Sequence, residues 1–194
     1  PRDLADMSAI LTKVKLLKPD VLLVSGHSKG AATAVRQIDE QNVKVSMIGI
    51  THCEAADVTG KFGAAANDIL CPTQWAETLT YEDPIFGTAE NFNSEVKAKY
   101  DAYANRPIPY QLAQASAAIY VFKDAFERAG SLDKEAVRDA IAATDLKTFY
   151  GNVKFSEAGN NVAKPMVLRQ IQDGKYNVVA PSDFASHQVN WPRG

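Results

Sequence analysis

Three short apolar runs, each set beside a segment of helical period, occupy the first 71 residues and constrain the fold more than any other feature. From Met7, apolar residues recur at Ile10, Leu11, Val14 and Leu17, the stripe of an amphipathic helix that Pro19 stops. Residues 20–25 form a continuous apolar run, as expected of a strand covered on both faces. The loop Gly26-His27-Ser28-Lys29-Gly30 leads into a second helix with Ala31, Val35 and Ile38 on one side. Residues 43–50 read as a second buried strand, 55–65 as a weak helix and 68–71 as a third strand. Strands alternating with helices imply right-handed crossovers and a parallel sheet, so the class is α/β.

After Pro72 the pattern changes. Residues 73–87 read as a loop connecting layers or lobes, and three helices follow. Thr88 can cap the first, which carries Phe92, Val96, Tyr100 and Tyr103. The second starts near Tyr110, carries Leu112, Ala115, Ile119, Phe122 and Phe126, and ends at Gly130. Ser131 or Asp133 caps the third, with Val137 and Ile141 inward. A brief strand is expected over residues 151–155, and Asp173-Gly174 between two apolar runs is the strongest hairpin signal in the chain.

Composition narrows the function classes. The 194 residues are 46% hydrophobic, with 21 basic against 23 acidic side chains and a net charge of −2, which argues against a nucleic-acid or anionic-membrane surface. No apolar run approaches the ~20 residues of a membrane-spanning helix. The chain opens at Pro1-Arg2-Asp3 with no initiator Met and no signal-type stretch, as mature secreted proteins and excised fragments do. Cys53 and Cys71 are too few for a disulfide scaffold. If their strands are neighbours a disulfide can form; two buried free thiols are the simpler expectation.

Two constellations invite chemistry. Gly26-His27-Ser28-Lys29-Gly30 fits G-x-S-x-G, the nucleophile elbow of α/β-hydrolases, between a strand and a helix. Only one strand precedes it and no oxyanion-loop glycine run lies upstream, so the plainer reading is a tight turn with Ser28 capping the helix. Thr51-His52-Cys53-Glu54 with Cys71 lacks the spacings of a zinc site, so no metal and no cofactor are expected. A third pattern is more informative. The three parallel strands end at Ser25-Gly26-His27, at Ile50-Thr51-His52 and at Pro72-Thr73-Gln74-Trp75. In open α/β sheets ligands bind at the carboxyl ends of strands, and here those ends carry a polar rim with one indole.

Lys18-Pro19-Asp20-Val21-Leu22-Leu23-Val24-Ser25-Gly26-His27, followed by Val35-Arg36-Gln37, resembles a segment of type I periplasmic solute-binding proteins, the branched-chain amino-acid-binding class that serves ABC importers. The resemblance continues through Cys71-Pro72-Thr73-Gln74-Trp75, the Ala125-Phe126-Glu127-Arg128-Ala129-Gly130 segment, Thr148-Phe149-Tyr150-Gly151 and Gln170-Ile171-Gln172-Asp173-Gly174-Lys175. It implies two Rossmann-like parallel-sheet lobes joined by a hinge, with only the C-terminal half present. Residues 1–78 then belong to the second lobe, 79–160 to a hinge crossing and the first lobe, and 161–194 to a return hairpin and tail.

The implied function is capture of a small amino-acid-like, amide or aromatic carboxylate ligand by lobe closure, without catalysis. Partners are the ligand and a membrane permease, not nucleic acid. The setting is periplasmic, or extracytoplasmic on a lipid anchor. The resemblance gives ligand-contacting positions to His27, Thr51, His52, Gln74, Trp75, Tyr110 and Gln111. Thr51 stands where amino-acid binders carry the acid that pairs with the ligand's ammonium, so His52 or Glu54 must substitute if that group is bound. The competing readings are a serine hydrolase using Ser28 and the sensing domain of a receptor. The end of the chain at Trp191-Pro192-Arg193-Gly194, without a spanning helix, favours a soluble carrier over the receptor.

Overall fold

The computed structural model describes residues 5–193; Pro1, Arg2 and Asp3, read above as the start of the chain, lie outside them. Two compact units divide the chain. One takes the chain up to Thr73 together with Val167 onward; the other is Gln74–Met166.

The first unit is built on a five-stranded sheet in the order β1 (Val21–Val24), β2 (Met47–Ile50), β3 (Leu70–Thr73), β8 (Val167–Gln172) and β9 (Lys175–Ala180). Strand β1 (Val21–Val24) pairs in parallel with β2 (Met47–Ile50), in register from Val21↔Met47 to Val24↔Ile50, and β2 pairs in parallel with β3 (Leu70–Thr73). Helix α1 (Ser8–Leu17) leads into β1, α2 (Ser28–Glu40) supplies the crossover from β1 to β2, and two short helices between β2 and β3, α3 (Cys53–Ala56) and α4 (Val58–Phe62), replace the single weak helix expected over 55–65. The second strand is shorter than expected. Val43 and Val45 are buried in the core but precede it.

Leu11, Val35, Ile38, Ile48, Ile50, Ile69 and Ile171 form the centre of that core. Burial at ~25 cal/mol per Å² of apolar surface makes it the main stabilising term for this unit. The expected stripe of α1 is only half right: Leu11 and Val14 are buried, while Ile10 and Leu17 face solvent. Strand β8 (Val167–Gln172) runs antiparallel to β3 and is joined to β9 (Lys175–Ala180) through Asp173-Gly174. Both turn residues have positive φ, 50° and 74°, which is the requirement of a type I′ hairpin and the reason glycine follows aspartate there.

Cys53 and Cys71 form a disulfide, with Cα atoms 5.9 Å apart, instead of the two free thiols expected. Cys53 opens α3, directly after β2, and Cys71 lies in β3 beside β2. Neighbouring parallel strands thus deliver both sulfurs to one place, and the bridge closes an interval of 18 residues.

The second unit is mainly helical: α5 (Ala89–Lys99), α6 (Tyr110–Ala129) and α7 (Lys134–Ala142), with two small hairpins. Strand β4 (Glu82–Asp83) pairs with β5 (Gly87–Thr88) inside the segment expected to be loop, and β6 (Asp145–Thr148) pairs with β7 (Gly151–Lys154). The caps follow the sequence. Thr88 Oγ1 accepts from the Asn91 N–H, Asp133 accepts from the N–H groups of Glu135 and Ala136, and Gly130 ends α6 at φ 58°. Tyr100 and Tyr103, expected on α5, fall beyond its end.

The large apolar residues read along α6 do not mark its buried face. Ala113, Ala117, Val121 and Ala125 are inside, whereas Ala115, Ile119, Phe122 and Phe126 are exposed, with the two phenylalanine rings stacked 6.2 Å apart. Small side chains let the helix approach its neighbours closely, which leaves the larger apolar residues on the open side. Clustered apolar exposure of this kind favours association. A preparation of these 194 residues is expected to self-associate in sedimentation velocity, and Ile119→Ser with Phe122→Ser and Phe126→Ser should shift it towards monomer; equal sedimentation of both proteins would contradict this. Closing an 18-residue interval is worth about 3 kcal/mol in the chain-entropy model, so reduction of the bridge, or Cys71→Ser with Cys53→Ser, should lower stability by about that much in denaturant titration.

Candidate functional site

Parallel pairing of β1 with β2 brings two loops to one sheet edge. The Thr51 N–H donates to the Val24 carbonyl at 3.1 Å, extending the ladder one residue past the strands. The Thr51 hydroxyl accepts from the Gly26 N–H at 3.0 Å and donates to the Gly26 carbonyl at 2.9 Å. Thr51 therefore clamps the backbone of the loop that carries His27. His52 follows at φ 62°, a left-handed turn that brings the chain into α3. The two imidazoles come together, His27 exposed and His52 half-buried, with ring centroids 5.6 Å apart and planes tilted by 52°. An open groove of about 540 Å³, lined by Ile10, Leu23, Gly26, His27 and Ala34 among others, adjoins His27.

Ser28 is the first residue of α2 and does not cap it; that position is His27, whose side chain makes no capping bond. Among the described residues no hydrogen bond joins Ser28 to a histidine, so the geometry expected of an elbow nucleophile and its base is not assembled.

Beneath the rim lies a buried polar network. Glu54 on α3 accepts from the Thr73 hydroxyl at 3.1 Å, and its other oxygen lies 2.9 Å from Nη2 of Arg169 on β8. Both charged side chains are within 2% of complete burial. The Arg169 guanidinium also sits over the Tyr176 ring, 4.7 Å from its centroid, and burial pushes the Tyr176 phenol up to about 12. Glu54, a candidate to meet a ligand ammonium, is thus already paired with a cation and out of solvent. Its pairing instead ties α3, and with it His52, to β3 and β8.

The remaining candidates belong to the second unit. Trp75 is 1% exposed, its indole N–H donates to the Phe149 carbonyl at 3.3 Å, and its ring makes edge contacts with Phe92 and Phe149. It holds the core there and fixes the backbone beside Gln74. The Gln74 side chain accepts from the Tyr150 hydroxyl at 2.8 Å, and its carbonyl accepts from the Lys164 ammonium. That ammonium lies 4.4 Å over the Tyr150 ring. Burial holds Lys164 well below the usual lysine range, at about 8, and drives the Tyr150 phenol well above its ordinary value, with the charge of nearby Tyr110 adding to the second effect. Tyr110 and Gln111 open α6, both half-buried, and Gln111 Oε1 is a buried acceptor with no hydrogen-bond donor among the described residues.

Sequence reasoning did not bring Tyr150 and Lys164 to Gln74, where the structure places them. Thr148-Phe149-Tyr150-Gly151 stands out in the sequence, but nothing local marks Lys164, 90 positions beyond the carbonyl it binds. Gly151 makes the contact possible. It adopts φ 135°, and a Cβ there would collide with the Lys164 stem.

A family model described as Periplasmic binding protein matches residues 1–175. The chain belongs to this family. Relatives of this periplasmic binding protein include the Leu/Ile/Val-binding protein homolog 7 of Brucella abortus (strain 2308), 26% identical over 202 residues, covering all of this chain and 49% of the relative. Another is the Leu/Ile/Val-binding protein BraC3 of Rhizobium johnstonii, 29% identical over 178 residues, covering 88% of this chain and 44% of the relative. Its fold matches the crystal structure of a leucine binding protein, LivK, from Thermotoga maritima, with TM-score 0.75 at 24% identity, over 91% of this chain and 48% of that one. It also matches a solute binding protein of an ABC transporter from R. palustris, in complex with benzoate, with TM-score 0.71 at 19% identity, over 90% of this chain and 46% of that one. These identities carry the type I fold alone. The chain spans about half the length of the curated relatives it matches. No described helix is long and apolar enough to cross a membrane.

The buried pair yields a direct test. Glu54→Gln or Arg169→Met alone leaves an uncompensated buried charge and should destabilise by ~3–5 kcal/mol in denaturant unfolding. The double variant Glu54→Met/Arg169→Met should lose clearly less than the sum of the single losses. Additive losses would mean that the two side chains act independently.

Proposed function

We propose that this chain is part of the solute-binding component of an ABC importer, one that captures a small organic ligand and hands it unchanged to a membrane permease. The family match over residues 1–175 carries the reading. Names of relatives point the same way, towards leucine, isoleucine and valine on one side and an aromatic carboxylate on the other. The ligand is accordingly a small amino-acid-like, amide or aromatic carboxylate compound. His27, Thr51 and His52 form the part of its seat at the carboxyl ends of β1 and β2, where open α/β sheets receive ligands.

In this reading residues 1–78 and 161–194 belong to the second lobe and 79–160 to the hinge crossing and first lobe of a two-lobed protein. Capture works by differential contact: a ligand that touches both lobes in the closed state, and one in the open state, shifts the equilibrium towards closure. Gln74, Tyr110 and Gln111 are proposed contacts, with Trp75 acting through the placement of Gln74. The disulfide supports an oxidising, extracytoplasmic setting, as such bonds persist there and are rare in the cytosol.

The reading is tested by thermal shift and calorimetry on the intact natural protein in which these residues occur, against leucine, isoleucine, valine, their amides, benzoate and benzamide. At least one should stabilise it, by about 2.7 kcal/mol at a hundredfold excess over Kd. His27→Ala should weaken that ligand roughly tenfold, the effect of losing ~1.4 kcal/mol of contact. No stabilisation by any compound would overturn the assignment.

A further inference from the structure

From the cluster at Gln74, Tyr150 and Lys164 we infer that Lys164 is the anchor for the carboxylate of a small organic ligand. The inference deepens the solute-binding reading and rests on it, because it names the charge class and the residue that selects it.

An ammonium carries three N–H donors and strongly prefers water or an anion. In this protein the polar contacts of Lys164 are the Gln74 carbonyl and the face of the Tyr150 ring. A carbonyl takes one donor and a ring face attracts the charge, but neither neutralises it. No described carboxylate forms an ion pair with Lys164. Desolvation is the single cause of its depressed pKa, with no acidic neighbour to offset it. Among the described residues, every lysine or arginine paired with an acid is at least partly exposed to solvent, apart from Arg169 with Glu54.

The setting selects the kind of anion. One compact cation over the phenol ring of Tyr150 suits a carboxylate with an apolar or aromatic body. A phosphate would call for several converging N–H groups or a guanidinium fork, and neither is present among these residues. The arrangement is also held in place. Tyr150 is buried and fixed through Gln74, and the Lys164 stem fills the space that Gly151 leaves open.

The test compares acids with the amides that lack the carboxylate charge, in the intact natural protein: benzoate with benzamide and leucine with leucinamide, by calorimetry. Wild type should prefer the acid of at least one pair by tenfold or more. Lys164→Met, which keeps the stem and removes the charge, should abolish that preference by lowering acid affinity more than amide affinity, and Lys164→Arg should restore part of it. A preference unchanged in Lys164→Met, or absent from wild type that still binds the amides, overturns the anchor and leaves the solute-binding reading standing. Binding of none of the four compounds overturns the anchor, and the solute-binding reading falls with it when isoleucine, valine and their amides also fail to bind.

A second measurement covers the case in which Lys164→Met does not fold. An amine that titrates near 8 when free is mostly neutral at pH 9, and an anion beside it restores the proton. Wild type should therefore take up about one proton per carboxylate bound at pH 9, read from calorimetry in buffers of different ionisation enthalpy. Carboxylate binding without proton uptake at that pH overturns the assignment.

Discussion

The register Val24↔Ile50 is the constraint on which the candidate site depends. Parallel strands leave the sheet in the same direction, so the residues that follow them meet at one edge. A slip of one residue would turn the side chains of a strand to the opposite face and separate Thr51 from Gly26. In the observed register the Thr51 backbone continues the ladder and its hydroxyl holds Gly26 through both the N–H and the carbonyl. The approach of His27 to His52 is a consequence of that clamp. It needs no attraction between the rings.

What fixes the second loop is chemically different. Behind His52 the chain is tied twice within two residues, by the Cys53–Cys71 bridge and by the Glu54–Arg169 pair. A buried ion pair is poor evidence of net stability, because desolving both ions offsets most of their attraction. Its value lies in position. Arg169 can meet Glu54 and the Tyr176 ring only when β8 and β9 are in place against β3, so the return hairpin near the end of the chain sets the rim formed by its beginning. The same pairing takes the acid out of reach of a ligand, leaving imidazoles, a hydroxyl and an adjoining apolar groove at this edge.

The parallel α/β half was legible because its signals are local: apolar runs of strand length, Pro19 after α1, and Asp173-Gly174 at a turn requiring two positive φ values. Caps at Thr88 and Asp133 were legible for the same reason. The α6 face was not. Periodicity shows that a stripe exists, but two stripes run along this helix, and size favours Ile119, Phe122 and Phe126 over the alanines that are in fact buried. Choosing between them requires knowing what the helix packs on. The disulfide lay within reach of the sequence, since it followed once β2 and β3 were known to be neighbours. His27, Thr51 and His52 could be placed together for a similar reason: each follows a strand end. Gln74 was visible on the same grounds, whereas its partner Lys164 depends on a contact across 90 residues and on the room left by a glycine.

That contact is also where stability and binding pull apart. A side chain needed only to fill the space beside Gly151 and Tyr150 would be better apolar, since a methionine of similar length would pack there without the desolvation that depresses the lysine. Nor does the Gln74 carbonyl require a full charge, because a neutral donor satisfies a carbonyl as well. Holding an ammonium there lowers the stability of the unliganded protein, and an arriving anion recovers the loss on binding. Sites that bind by charge are commonly built at the expense of the free state, which is the sense in which a stabilising replacement at such a position removes function.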